Sequence, residues 1–157
     1  MRALLVLAAF TMSLLAGCGD ADAQRAKLAG TWQRDVELAD GKACAILVLE
    51  HKGQFTESLH VFGSNGYSQH VEYGGQWLTN GSSFTLRYLR ENDRQYSGGK
   101  IRFLTLQLTS VSIDKFVGRD ELRSRDVSFV RVRGPQCDPS PNHSIKPTPN
   151  GAAHIKR

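Results

Sequence analysis

The prolines of this chain divide it sharply. None occurs between Leu28 and Arg133, and all five follow that stretch. Within the proline-free stretch, segments rich in Val, Phe, Tyr, Thr and Leu alternate with glycine-bearing turns, and no convincing helical period is present. The pattern therefore predicts an all-β body. It is followed by a predicted unstructured tail, 134–157, rich in Pro, Asn, Ser and Gly.

The body contains eight strand-like segments of similar length. Short strands that follow one another through tight turns favour a single up-and-down antiparallel barrel, closed so that no sheet edge is left unpaired. The predicted strands cover about 30–37, 44–50, 54–62, 68–78, 83–90, 100–110, 115–120 and 127–133.

The alternation of apolar side chains sets the register of the early hairpins, because a slip of one residue turns every side chain to the other face. A three-residue loop at 64–66, with Gly66 in the left-handed conformation, brings the apolar faces of 54–62 and 68–78 together. The loop 51–53 is predicted to follow the same pattern.

Two further register predictions concern the middle of the body. Asn80-Gly81 is predicted to form a two-residue type I′ turn, which pairs Trp77 with Phe84. In the sixth strand the apolar side chains change face near Phe103, which predicts a bulge at that point.

The N-terminus has the pattern of a secretory signal. Arg2 precedes an uncharged apolar run that is shorter than the roughly 20 residues of a membrane span. The sequence Leu15-Ala16-Gly17-Cys18 that ends this run resembles the lipobox of bacterial lipoproteins. The resemblance implies that Cys18 carries a lipid and that the signal is removed just before it. An ordinary cleaved signal with an incidental cysteine is the alternative.

The chain is thus predicted to have a signal peptide (1–17), a flexible polar tether (18–27), a barrel (28–133) and the tail (134–157). The expected location is the bacterial cell envelope, with a membrane anchor. Gly19, rather than an aspartate, follows the predicted lipid-bearing cysteine. Under the usual sorting rule for lipoproteins of Gram-negative bacteria, this favours the outer membrane, with the protein facing the periplasm. The formal net charge is +5, but the sequence contains no run of five like charges, so no nucleic-acid partner is predicted.

Two cysteines remain once Cys18 carries the lipid, and they are Cys44 and Cys137. In an oxidising compartment two remaining cysteines usually join. We therefore predict a Cys44–Cys137 disulfide that pins the start of the tail to the barrel wall. Two buried free thiols are the alternative.

A second resemblance is carried by Gly30-Thr31-Trp32 at the start of the body and by Arg131 at its end. With this pattern the stretch 28–133 resembles the lipocalin and wider calycin superfamily, in particular its small bacterial lipocalin-like group. The resemblance implies that Arg131 lies across the Trp32 indole and closes the barrel base. The family's long first loop and C-terminal helix are not found, so a short barrel with a narrow or filled lumen stays open.

The predicted register aligns Leu47, Glu57, Tyr73 and Tyr88 in one inward row. A carboxylate among apolar residues needs a partner, which the tyrosine hydroxyls or an inward Arg131 can supply. One interpretation is an internal network that fixes the barrel's shape. The other is a ligand pocket with Glu57, Tyr73 and Tyr88 as polar contacts. The apolar lining of that pocket is predicted to be Phe55, Leu59 and Phe84.

No catalytic, phosphate-binding or redox motif is found, and no enzyme, cofactor or metal site is predicted. His60 and His70 fall opposite each other on the outer face, where a metal shared with Glu72 is a minor alternative. The sequence favours a non-catalytic binding module that holds a small apolar or amphipathic molecule in the barrel lumen.

An alternative function comes from Ser97-Gly98-Gly99-Lys100, which resembles the short loop of periplasmic lysozyme inhibitors. That resemblance implies a protein-binding inhibitor or immunity protein whose outer loops, such as Tyr96 to Lys100, contact the target. A purely structural role in the envelope is a third interpretation.

Overall fold

The computed structural model describes residues 19–96, 101–134 and 137. The predicted signal peptide, its lipid-attachment cysteine and most of the predicted tail lie outside the described residues, as do 97–100 of the predicted inhibitor loop.

The described chain forms one helix followed by nine strands in sequence order. Their bounds are α1 (Gly19–Leu28), β1 (Gly30–Leu38), β2 (Gly41–Leu49), β3 (Gln54–Gly63), β4 (Ser68–Thr79), β5 (Ser83–Glu91), β6 (Arg94–Gln95), β7 (Arg102–Val111), β8 (Lys115–Asp120) and β9 (Arg125–Arg131).

Eight of these strands close into an antiparallel barrel. The strand order is β4-β3-β2-β1-β9-β8-β7-β5, and β4 also pairs with β5, so the sheet closes on itself. Strand β6 has two residues and, among the described strands, pairs only with the end of β5. Apart from this short strand, each strand lies beside its neighbours in sequence, and the predicted all-β, up-and-down barrel is confirmed.

The first two predicted turns are confirmed. Tyr67 O accepts a hydrogen bond from Gly63 N at 2.8 Å, which leaves a three-residue loop in which Gly66 has φ 80°. The loop between β2 and β3 repeats this geometry, with Glu50 N donating to Gln54 O at 2.9 Å and Gly53 at φ 84°. The inward faces of β2, β3 and β4 therefore meet as the alternation required.

The predicted two-residue turn at Asn80-Gly81 is wrong. Thr79 pairs with Phe84, and Asn80 N donates to Ser83 O at 3.3 Å, so the two residues of the turn are Gly81 and Ser82. Asn80 Oδ1 accepts hydrogen bonds from the backbone N–H groups of Ser82 and Ser83 at 3.1 and 2.8 Å. The register differs from the predicted one by two residues. A shift of two leaves every side chain on its predicted face, which is why alternation did not distinguish the two turns.

Two bulges also differ from expectation. The changed hairpin register already places Tyr88 opposite Gly75, and a further one-residue shift between Gly74 and Gly75 brings Tyr73 opposite Glu91 rather than the predicted Tyr88. In β7 the ladder is regular around Phe103, and the irregularity falls between Leu108 and Ser110 instead. The side chain of Phe103 is simply exposed on the outer wall.

The segment predicted as a flexible tether is helical from Gly19 onward. Arg25 and Lys27 lie in the last turn of α1, where cations complement the helix dipole. Leu28 is fully buried at the barrel base, and its carbonyl accepts a 2.7 Å hydrogen bond from Trp32 Nε1. Tertiary contacts therefore stabilise this short helix. Within the described residues, no helix has the length and apolar character that a membrane crossing needs.

Candidate functional site

The lower part of the barrel is a packed aromatic core. Trp32 and Phe116 meet edge to face with ring centroids 4.8 Å apart, and Phe116 stacks on Phe129 at 4.4 Å. The predicted lining residues Phe55 and Phe84 belong to this core, at 2% and 0% exposure. Side chains fill this end of the barrel. A filled lumen is one of the two possibilities that the missing long first loop and C-terminal helix had left open.

Arg131 seals the base together with Trp32, as the resemblance implied. Its guanidinium carbon lies 4.1 Å from the centre of the indole. The same side chain donates hydrogen bonds to the carbonyls of Ala29 (2.9 Å), Lys27 (2.5 Å) and Ile113. Arg131 thus joins the end of α1, the first strand and the β7–β8 turn.

Gly30 leaves room for this contact. A Cβ atom at Gly30 would stand 2.1 Å from a terminal nitrogen of Arg131, and Gly30 has φ 135°, which side-chain-bearing residues rarely adopt. The glycine, the tryptophan and the arginine of the motif therefore form one structural unit.

Replacing Arg131 by alanine should lower the free energy of unfolding by about 3 kcal/mol, through the lost cation–π contact and the lost charge-assisted hydrogen bonds. Arg131→Lys should recover less than half, because a point charge lacks the planar fork. Urea unfolding measures both values. A lysine variant as stable as the parent would argue against stacking, and Arg119→Ala, on the outer wall, is the matched control.

Glu57 is buried and fully engaged above the aromatic core. It is 3% exposed, and its two carboxylate oxygens accept hydrogen bonds from Arg34 at 3.0 Å and from the Tyr88 hydroxyl at 2.8 Å. The predicted tyrosine partner is therefore present, whereas the predicted arginine, Arg131, is replaced by Arg34. Since Arg34 follows Trp32 by two residues, strand alternation already placed it on the inward face.

Three of the four residues of the predicted inward row, Leu47, Glu57 and Tyr73, lie side by side, and Tyr88 does not. Glu57 pairs with Leu47 on one side and Tyr73 on the other, as predicted. Tyr88 is displaced from the row because the register of the β4–β5 hairpin pairs it with Gly75, yet its ring still meets that of Tyr73 edge to face at 5.5 Å. Burial, followed by the neighbouring Glu57 charge, raises the pKa of Tyr88 well above its ordinary 10.0, so its hydroxyl stays a donor.

A second polar cluster, which the sequence reasoning missed, lies nearer the other end of the barrel. The Tyr96 hydroxyl donates to Glu91 at 2.5 Å, and Arg102 lies 3.9 Å from the same carboxylate and 5.5 Å from the Tyr96 ring. Burial and this hydrogen bond raise the pKa of Tyr96 to about 12. Both clusters affect Tyr73. Burial first, then the Glu91 charge and more weakly the Glu57 charge, raise the pKa of Tyr73.

The barrel opens at the end opposite to α1. Along β3 the side chains are buried at Phe55 and Glu57 and become partly exposed from Ser58 onward, so that the predicted lining residue Leu59 lies at this transition. Only two residue pairs, Trp32 with Arg131 and Gln33 with Val130, form the β1–β9 ladder, and both lie near the base. Towards the mouth the described residues of the β1–β9 seam are therefore unpaired, whereas the β1–β2, β2–β3 and β3–β4 ladders continue to the rim.

An open cleft of 490 Å³ lies at this mouth, between the β1–β2 and β3–β4 turns. We call it the mouth cleft; its lining is Leu38, Ala39, Asp40, Val61, Gly63, Ser64, Asn65 and Tyr67. Leu38 and Tyr67 are 43% and 55% exposed, which gives the cleft an apolar, accessible wall beside polar groups.

The remaining predicted site residues lie on the outer wall. Cys44 and Cys137 are joined by a disulfide across a sequence separation of 93, and the predicted pairing is confirmed. His60 and His70 are direct cross-strand partners, also as predicted. In the described part of the chain, no group of three or more His, Cys, Asp or Glu side chains is arranged to hold a metal ion.

Fold and site together define a small, closed β-barrel with a sealed base, an internal ion pair and an open mouth. The sequence matches no protein-family model, and a search of curated proteins gives no match.

Proposed function

We propose that this chain is a non-catalytic binding module, anchored in the bacterial cell envelope, that holds a small amphipathic molecule at the mouth of its barrel. The observation that carries the proposal is the mouth cleft, which is open and partly apolar while the base beneath it is filled. The binding site is thus moved from the deep lumen, which the sequence favoured, to the upper rim.

The two ends of the barrel suit an anchored protein. Cys18, the proposed lipid carrier, directly precedes α1, and α1 ends in the base through the buried Leu28. A lipid on Cys18 would hold the base towards the membrane and leave the mouth cleft facing the periplasm. The Gly30, Trp32 and Arg131 unit supports placing the barrel with the lipocalin-like proteins, and Gly19 favours the outer membrane.

The chemistry of the mouth suits an amphipathic ligand. Leu38, Val61 and Tyr67 offer apolar contact, whereas Asp40 and Asn65 provide polar groups at the edge. Below the cleft, each oxygen of the Glu57 carboxylate already accepts a hydrogen bond from a side chain of this protein. We therefore assign Glu57 and Tyr88 a structural role beneath the ligand, and Tyr73 does not line the mouth cleft.

Native mass spectrometry of the lipidated protein, extracted from its own host in mild detergent, tests the proposal. A bound small molecule should appear on the parent and be lost from Val61→Trp, which fills the cleft. Val130→Trp places the same ring on the outer wall and should keep it. Ligand-free parent protein, or equal retention by both variants, would contradict the proposal.

The anchor is tested separately. Cys18→Ser should abolish the acyl mass and move the protein out of the membrane fraction, because a stable anchor needs the hydrocarbon chains on this cysteine. Membrane fractionation with acyl mass retained would refute lipidation at Cys18 without bearing on the mouth cleft.

A second candidate function is that of a protein-binding inhibitor or immunity factor. Its support is the exposed apolar side chain of Leu122, which lies in the β8–β9 turn at the same rim and is 88% exposed. This turn is held by the buried Asp120, which accepts hydrogen bonds from Arg123 N at 3.2 Å and from its guanidinium at 2.9 Å. Burial opposes the charged form of Asp120, but the bonds from Arg123 outweigh it and lower its pKa.

Two matched substitutions separate the candidates. Leu38→Asp alters the cleft and should release a small ligand, whereas Leu122→Asp should leave that ligand bound. If the chain instead inhibits a protein target through its rim, Leu122→Asp should weaken inhibition with no bound small molecule in either variant.

A further inference from the structure

A pair of histidines on the outer wall converges on one hydroxyl. His60 in β3 and His70 in β4 are cross-strand partners, and their rings stack with centroids 4.4 Å apart and planes 24° from parallel. Both Nε2 atoms lie within hydrogen-bond distance of Ser58 Oγ, at 2.7 Å for His70 and 3.3 Å for His60. Two imidazole nitrogens therefore already face a common point.

The surroundings keep this pair in place and open to solvent. Phe62 stacks on His60 at 6.4 Å, whereas His70 is exposed. On β2 the partner of His60 is Cys44, whose sulfur is held in the disulfide and is not a thiolate ligand. A hollow of 190 Å³, lined in part by Ser58 and Glu72, opens beside the pair.

The groups beside the two rings suit a bound cation. The lone pair of a neutral imidazole is the form that a metal ion requires. No basic side chain is a cross-strand partner of His60 or His70 within the described ladders, and Glu72, the partner of Ser58, adds a negative charge.

We propose that His60 and His70 bind one divalent transition-metal ion, of the Cu²⁺ or Zn²⁺ class, through their two Nε2 atoms. Metal–imidazole bonds of about 2.0–2.1 Å need the two nitrogens roughly 3–4 Å apart. The two rings stack 24° from parallel, so each must rotate out of the stack for both lone pairs to point at one ion, and both Nε2 atoms already approach one oxygen. Ser58 Oγ or water completes the coordination, since the described residues hold no third His, Cys, Asp or Glu in place.

The site is independent of the mouth cleft. It lies on the outer face of β3 and β4, whereas the proposed ligand contacts are at the barrel rim. A two-histidine site with water ligands is expected to bind Cu²⁺ more tightly than Zn²⁺, following the general order of divalent metal affinities.

The test is titration of the lipidated, disulfide-bonded protein in detergent with Cu²⁺ or Zn²⁺ alone, followed by calorimetry and histidine NMR. One equivalent should bind, and the His60 and His70 ring signals should shift with Zn²⁺ and broaden with Cu²⁺. His60→Gln and His70→Gln should each weaken binding by more than about tenfold, the loss that even outer partners of metal ligands cause.

His51→Gln is the matched control, because His51 lies exposed in the β2–β3 turn at the other end of the barrel. It should leave the affinity unchanged. Unchanged binding in both His60→Gln and His70→Gln, or loss of the metal only in His51→Gln, would overturn the proposal. Binding should also be lost as the pH falls and the imidazoles take up protons. A site made only of carboxylates would lose its metal at a lower pH.

Discussion

Replacing Glu57 by glutamine should lower the free energy of unfolding by about 3 kcal/mol, because it leaves Arg34 with an uncompensated, largely buried charge. The two side chains are 3.0 Å apart, with side-chain exposures of 3% for Glu57 and 14% for Arg34. Glutamine keeps the shape and one acceptor oxygen, so the loss reports the charge rather than a cavity. Urea unfolding followed by tryptophan fluorescence measures it.

A double-mutant cycle separates the ion pair from general packing. Arg34→Gln should cost about as much as Glu57→Gln, whereas the double variant should cost clearly less than the sum, since neither charge is then left unpaired. Tyr88→Phe removes one hydrogen bond to a charged group and should cost about 2 kcal/mol. Strictly additive losses from the two charge substitutions would show that the pair does not act as a unit.

The same substitution distinguishes the two interpretations of the inward row. If Glu57 is structural, as its two occupied oxygens support, Glu57→Gln weakens folding and leaves any mouth ligand bound under conditions where the protein stays folded. If Glu57 is a ligand contact, the variant loses the ligand while its unfolding free energy stays close to that of the parent.

Removal of the Cys44–Cys137 disulfide should cost about 4 kcal/mol in the chain-entropy model, because a long loop of the unfolded chain is released. The loop spans a sequence separation of 93. The Cys44→Ser/Cys137→Ser double variant should therefore unfold at a much lower urea concentration than the oxidised parent. Reduced parent protein is the matched control and should approach the stability of the double variant.

The local effect of the bond can be followed as well. The disulfide ties residue 137 to the outer face of β2, so proteolysis near the end of β9 should become faster in the double variant. Equal stability and equal cleavage of the oxidised parent and the double variant would contradict a stabilising role for the bond.

The periodicity of the sequence was sufficient for much of the fold. Alternation of apolar side chains, together with Gly53 and Gly66 in three-residue loops, set the register of the early hairpins correctly. Alternation is a local property with a period of two, so it determines which face each side chain occupies. The expectation that Arg131 lies across Trp32 came instead from the family resemblance of the Gly30-Thr31-Trp32 and Arg131 pattern, and the structure places the two side chains in contact.

Alternation does not determine the height or the partner of a side chain inside a closed barrel. The changed register of the β4–β5 hairpin, set at the turn after Asn80, moves Tyr88 along the wall without changing its face. Likewise, Arg131 and Arg34 both point inward, and only the packed helix α1 shows why Arg131 is engaged at the base while Arg34 is left for Glu57.

The sequence by itself determined the strand pattern, the face of nearly every inward residue, the cysteine pair and the expectation of a lipid anchor, because each rests on local spacing or on residue type. The tertiary structure alone decided that the tether is a helix, that aromatic rings fill the lower lumen, and that the open space lies at the mouth. These features depend on how side chains from distant strands share one volume, and that sharing has no period along the chain.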